Sequence, residues 1–261
     1  MINGLKPYPE YKDSAVAWLG EVPGHWEVRR AKYLFREVDH RTSTGTEILL
    51  SLRMYRGLVA HVDVSTVPIT AQALIGFKKV AVGQIVMNRM RAAIGMFGIA
   101  NEPGLVSPDY AILEPIVKLH PNYFLHLFRT PAAGTIFRVV SKGLGTGSSG
   151  FMRLYTERFE AIKLPVSPEE EQQEIVEGVI ESTLEIDRAA ERVNREIHLL
   201  GEYRTRLITD VVTGKLDVRE VAARLPEEPD GPDEPEPLGA APDADGEPGD
   251  DLDTMPEETL A

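Results

Sequence analysis

Cysteine is absent from the 261 residues, so disulfides and thiolate metal sites are excluded. No apolar run reaches the ~18 residues that a membrane span needs. The opening Met1-Ile2-Asn3-Gly4-Leu5-Lys6-Pro7 lacks the apolar core of a secretory signal. The expectation is a soluble cytoplasmic protein with no membrane partner. Catalytic equipment is equally scarce. The six histidines, at 25, 40, 61, 120, 126 and 198, fall in no metal-ligand spacing, and neither a nucleophile elbow nor a P-loop occurs. No metal, cofactor or catalytic residue is expected, which favours a binding protein over an enzyme.

Acidic residues dominate, with a net charge of −13, but the excess is local. Residues 225–261 hold 14 acids, no bases and eight prolines, a composition too poor in apolar residues to form a core. Residues 167–224 carry 14 acids and 8 bases, whereas residues 1–166 carry 20 bases and 13 acids. The folded N-terminal part is therefore basic, which suggests an anionic ligand, with nucleic acid first.

What the chain does have is one long amphipathic helix. Ser167, Pro168 and Glu170 suit an N-cap, a first helical position and a capping box. Gly214 suits the residue after the C-cap. The span is about 45 residues, or roughly 68 Å at 1.5 Å per residue. Val179, Thr183, Ile186, Ala190, Val193, Ile197, Leu200, Arg204, Leu207 and Val211 recur at heptad spacing. The seam fits one partner helix. Val179, Ile186, Val193, Ile197, Leu200, Leu207 and Val211 are the expected coiled-coil residues.

Before residue 167 the pattern is mixed. Residues 47–52, 80–87 and 111–117 read as strands; residues 121–130 and 131–141 read as short helices opening at proline. Thr156 suits the cap of another short helix through Lys163. Irregular alternation of strands and helices argues for an α+β fold. Two motif matches are weaker than they look. Gly145–Gly150 fits G-x-G-x-x-G, but no crossover helix and parallel strand follow, so it reads as a flexible loop. Ser107-Pro108-Asp109-Tyr110 resembles an amino-methyltransferase motif with Asp109 in place of its second proline, and reads as a turn.

Residues 8–26, Tyr-Pro-Glu-Tyr-Lys-Asp-Ser-Ala-Val-Ala-Trp-Leu-Gly-Glu-Val-Pro-Gly-His-Trp, resemble the opening of specificity subunits of type I restriction-modification systems. The blocks Asn88-Arg89-Met90, Gly104–Tyr110, Leu127–Pro131, Arg153-Leu154-Tyr155 and Leu164-Pro165-Val166 follow in the same order as in that family. Glu171-Gln172, Ile186-Asp187, Glu202-Tyr203-Arg204 and Val212–Lys215 resemble its helical region. The resemblance covers residues 8 to about 220. It implies a non-catalytic chain in which a DNA target recognition domain, residues 1–166, stands on a coiled-coil spacer and docking helix, residues 167–214. Residues 215–261 follow, with a disordered acidic tail from 225. It implies double-stranded DNA, modification subunits and restriction subunits as partners, with S-adenosylmethionine and ATP held by those partners. Members of the family commonly carry two recognition domains and two helices; one of each is seen here, so the chain resembles a half-subunit. Pairing with itself, as a homodimer on a bipartite palindromic site, or with a second half-subunit is implied. The rival readings are a methyltransferase or nuclease with an unrecognised site, and a coiled-coil adaptor that binds no DNA.

Base edges are read mainly by Arg, Lys, Asn and Gln, and phosphates are held by Arg, Lys and backbone N–H groups. Asn88, Arg89 and Arg91 follow a predicted strand; Lys142 and Arg153 flank the glycine- and serine-rich stretch 143–150. Lys78, Lys79, Arg53 and Arg56 complete the candidate DNA contacts. Trp18 and Trp26 are expected to anchor the N-terminal segment rather than to stack on bases.

Overall fold

The computed structural model describes residues 6–54, 56–144 and 151–223. Internal contacts divide the chain into two units, Met1–Glu181 and Ser182–Ala261. At the middle of the first lies a four-stranded antiparallel sheet in the order Phe35–Val38, Ala111–Pro115, Ile85–Met87, Phe97–Ile99. Side chains alternate across each strand, and both faces are apolar. Phe35, Ile85, Met87, Phe97, Ala111 and Leu113 join one core; Val38, Val86 and Ile112 join another.

Three helices supply the first core: α1 (Pro121–Phe128), α2 (Pro131–Val140) and α3 (Thr156–Ala161). Phe124, Phe128, Phe137 and Phe159 are fully buried there. Phe128 sits 5.0 Å from Phe97 and 5.6 Å from Phe159 between ring centroids. Its truncation to alanine is worth about 3–5 kcal/mol. Two antiparallel strand pairs supply the second core, Leu50–Arg53 with Gly57–Ala60 and Lys78–Val80 with Gly104–Val106. Gly98 allows the first pair to close on the sheet edge: a Cβ there would meet Leu52 Cδ1 at 2.7 Å and the Leu58 nitrogen at 3.1 Å. The result is the expected α+β fold.

Proline opens α1 and α2 as anticipated, and the Thr130 hydroxyl caps α2 by accepting from the Ala133 N–H at 3.2 Å. Thr156 does not cap α3. Tyr155 takes that position, and the Thr156 hydroxyl donates to Glu37 instead. The strand expected over 80–87 is broken into two. Between them the Ala81 N–H donates to Gln84 Oε1 at 2.8 Å, and Gly83 adopts φ +84°. The other two expected strands shift to Leu50–Arg53 and Ala111–Pro115.

The long helix α4 spans Glu169–Val212, 44 residues. Its C-terminus closes as the sequence suggests. Gly214 has φ +75°, its N–H donates to the Val211 carbonyl, and the Lys215 N–H donates to the Asp210 carbonyl at 2.8 Å. That bond pair defines a Schellman motif. The N-terminus differs from the expected capping box. The Ser167 hydroxyl is buried and does not bond the first-turn N–H groups. Gln172 ties the entry instead, donating to the Ser167 carbonyl and accepting from the His120 N–H, both at 2.8 Å.

Glu171, one residue earlier, fastens the N-terminal segment. Tyr8 Oη and Trp26 Nε1 donate to its Oε1 at 2.6 and 3.0 Å, and His25 Nε2 lies 2.8 Å from Oε2. Burial pushes the Glu171 carboxyl up, but Tyr8, Trp26 and His25 outweigh it and hold its pKa below the ordinary value. Trp18 and Trp26 both pack against the aromatic core, so they serve as anchors. The second unit, among the described residues, consists of the rest of α4 and a single turn at Arg219–Ala222. Among the described residues no helix is long and apolar enough to cross a membrane.

Candidate nucleic-acid interface

Several sequence candidates converge at one end of the four-stranded sheet. Cross-strand register sets Met87 opposite Ala111 and Val38 opposite Ile112, so Asn88, Asp109, Tyr110 and Asp39 lie just beyond that end. The turn from Asn88 to Met96 emerges here. The strand pair Lys142–Leu144 and Phe151–Arg153 joins it, because the Leu154 N–H donates to the Arg89 carbonyl at 2.9 Å. Lys142 stands directly across from Arg153. Arg153 Nη2 donates to Asp109 Oδ1 at 2.8 Å, and its guanidinium lies 5.6 Å from the centre of the Tyr155 ring.

These candidates divide into two groups by what their donors already hold. Lys78 is 2 % exposed; its Nζ donates to the Tyr110 carbonyl at 2.8 Å and lies 3.2 Å from Glu37 Oε1. Arg89 Nη2 meets the same oxygen at 2.5 Å, while Nη1 donates to the Thr156 hydroxyl at 2.7 Å. Asn88 is 3 % exposed, and its Oδ1 accepts from the Met90 and Arg91 N–H groups. Lys78, Asn88 and Arg89 therefore build the frame beneath the surface, contrary to the role expected of them. Arg91 is half-buried and Lys142 exposed, and among the described residues neither makes an ion pair or a side-chain hydrogen bond. With the partly open Arg153, they are the donors this end of the sheet offers to a ligand.

Glu37 organises the frame. Burial pushes its carboxyl up; the Thr156 hydroxyl, Arg89 and Lys78 together outweigh that and hold its pKa below the ordinary value. A half-buried carboxylate holding the fully buried Lys78 together with Arg89 and a hydroxyl is stable only as a complete set, since removing one partner strands a charge.

The remaining candidates lie elsewhere. Lys79 pairs with Glu47 at 2.7 Å; Lys79, then the Thr42 hydroxyl, pull the Glu47 carboxyl down to about 2. Arg53 ends the first strand of the pair that covers the sheet edge, opposite Gly57, and Arg56 lies in the turn of that pair. Arg129 carried no signal of its own in the sequence. It is half-buried, its Nη2 donates to the Phe97 carbonyl at 2.7 Å, and burial lowers its pKa. The Gly145–Gly150 motif lies outside the described residues; the strands on either side of it pair antiparallel, unlike the parallel crossover of a dinucleotide fold. Ser107–Tyr110 is a turn, closed by the Tyr110 N–H on the Ser107 carbonyl.

On α4 the heptad residues are open. Ile186, Val193, Ile197 and Leu200 are 52–67 % exposed, Leu207 is 40 % exposed, and Val179 and Val211 are half-buried. Leu199, Tyr203, Ile208 and Val212 are exposed as well. From residue 199 onward the apolar surface is thus broader than a seam for one partner helix.

The family of type I restriction modification DNA specificity domains matches residues 27–189, more than half of the chain, and the chain belongs to that family. No curated protein matches. Three solved structures are similar. The HsdS subunit from Thermoanaerobacter tengcongensis is 15 % identical over 64 % of this chain and 39 % of its own, with a TM-score of 0.42. The type I restriction-modification S subunit from M. genitalium is 13 % identical over 75 % and 46 %, at 0.43. A chain from work on complex assembly and conformational transition of the type I R-M system is 15 % identical over 69 % and 44 %, at 0.45. The chain spans less than half the length of each of these.

Proposed function

We propose that this chain is the DNA sequence-recognition subunit of a type I restriction-modification complex. The observation that carries the reading is the specificity-domain match, which covers the sheet, the basic turn and hairpin, and the first turns of α4. The domain at residues 1–166 reads double-stranded DNA; Arg91, Lys142 and Arg153 make the contacts, on a frame of Glu37, Lys78, Asn88 and Arg89. The chain does no chemistry itself. Modification subunits bring S-adenosylmethionine and methylate adenine; restriction subunits bring ATP-driven cleavage.

The helix at 167–214 is spacer and docking surface. Its exposed apolar residues call for a partner, and two-fold pairing is the commonest way to cover such a stripe. A homodimer would set two identical recognition domains in opposite orientations and read an interrupted palindrome. A second, different half-subunit is the alternative occupant, and it would read two unrelated half-sites. The wider apolar surface at 199–212 suits the modification subunits in addition to a partner helix.

Incubating the chain with DNA and S-adenosylmethionine, alone and with modification subunits, tests the reading. Methylation is expected only with both present. Methylation by this chain alone would overturn it.

A further inference from the structure

The last strand of the sheet, Phe97–Ile99, borders a small cleft of about 120 Å³ lined by Arg56, Asn101, Asn122 and Arg129, with Gly57, Leu58, Ile99 and Leu125. Its four polar side chains all carry N–H donors, and no acidic residue lines it. Among the described residues, Arg56, Asn101 and Asn122 make no ion pair and no side-chain hydrogen bond, and Arg129 makes only its bond to Phe97. Arg129 is also boxed in: a Cβ on Gly95 would lie 3.3 Å from its Cα. Gly95 belongs to the same turn that carries Arg91.

A half-buried guanidinium is ordinarily matched by a carboxylate, because desolvating a cation without a counter-charge is costly. Here the matching charge is missing from the lining residues, and the neighbouring groups are further donors. Such a site complements an oxyanion, for which a planar guanidinium fork is the usual holder.

We propose that this cleft holds a backbone phosphate of the DNA, an anchor beside the turn at 88–96 that fixes the register of the recognition domain without reading bases. The proposal rests on the DNA-recognition reading above and adds a site to it. Phosphate contacts of this kind position a protein on the duplex and leave sequence choice to others.

The test is DNA binding by the full chain across a salt series, for wild type, Arg56→Gln and Arg129→Lys. Arg129→Lys removes the fork but keeps the charge; Arg56 is exposed, so its variant remains informative if Arg129→Lys melts early. Each neutralised phosphate contributes roughly 0.9 to the log–log slope. Arg56→Gln is expected to make the slope shallower by about 0.9, with the same base preference in a selected-sequence assay. Arg129→Lys is expected to weaken binding at every salt concentration, again with base preference retained. An unchanged slope and affinity in both variants, with wild type binding normally, would overturn the proposal and leave the recognition reading intact. No binding by wild type would remove both. Inorganic phosphate is the control: if it shifts the Asn122 side-chain amide resonances while the DNA slope stays unchanged, the cleft takes free phosphate and the assignment to DNA is wrong.

Discussion

Glu37→Gln tests the frame under the candidate interface. In the wild type one carboxylate oxygen faces both Lys78 Nζ at 3.2 Å and Arg89 Nη2 at 2.5 Å, and the other accepts from Thr156. The Lys78 side chain is only 3 % exposed, so it cannot recover its hydration when the charge opposite is removed. Breaking a buried pair from one side costs about 3–5 kcal/mol. The low end applies, because Asp39 Oδ2 remains 3.7 Å from Lys78, and the Tyr110 carbonyl still accepts from it. The expected loss at pH 7 is thus about 3 kcal/mol, read as a lower urea midpoint at unchanged slope. The folded pKa of Glu37 lies below its unfolded value. Its contribution is therefore complete above the ordinary carboxylate pKa, about 4.3, and disappears as pH falls through the lower folded value. The gap between wild type and Glu37→Gln should close below about pH 4. A loss under about 1 kcal/mol, or a gap that does not change with pH, would show that the cluster is not the support described.

Three further expectations follow from the same geometry. Glu171→Ala removes the acceptor shared by Tyr8, His25 and Trp26; a loss of about 2 kcal/mol and faster amide hydrogen exchange across residues 8–26 are expected, and unchanged exchange there would contradict the clamp. Arg91→Ala and Lys142→Ala should each reduce the salt dependence of DNA binding by roughly 0.9 in slope with melting temperature retained; two unaffected variants would mean that DNA meets another face. Glutamates at Ile186, Val193 and Ile197, all more than half exposed, should leave α4 folded yet abolish pairing in light scattering; a wild type that is monomeric with and without modification subunits would refute the homodimer.

The long helix was the most legible element. Its heptad spacing and Gly214 stop operate over whole turns, so a one- or two-residue error at either end is harmless. The proline-opened helices α1 and α2 were legible for a similar local reason. Strands of three or four residues, such as Phe35–Val38 and Phe97–Ile99, are too short for a period of two to stand out, and Phe35–Val38 is defined by a partner strand, Ala111–Pro115, far along the chain. The candidate site was half-legible. Sequence composition pointed to the turn at 88–96 and to the strands flanking 143–150, but not to which of their cations point outward. Lys78 and Arg89 look like surface charges until Glu37, 41 and 52 residues away, is seen between them. Thr156 failed as a helix cap because a tertiary partner, Glu37, takes its hydroxyl, whereas the Ser167 hydroxyl is buried without a bond and Gln172 ties the entry to α4 instead. Arg129 was invisible as a site residue because an unmatched, half-buried cation is a property of its surroundings.

The central claim is that the sheet end bearing Arg91, Lys142 and Arg153 selects a DNA sequence. Selection from a random double-stranded DNA pool by the full chain with its modification subunits tests this most directly, with the triple alanine variant run in parallel. The account predicts that wild type enriches one bipartite motif and that the variant, still folded and still assembled, enriches none. Equal enrichment of the same motif by both proteins, or no enrichment by wild type, would contradict it.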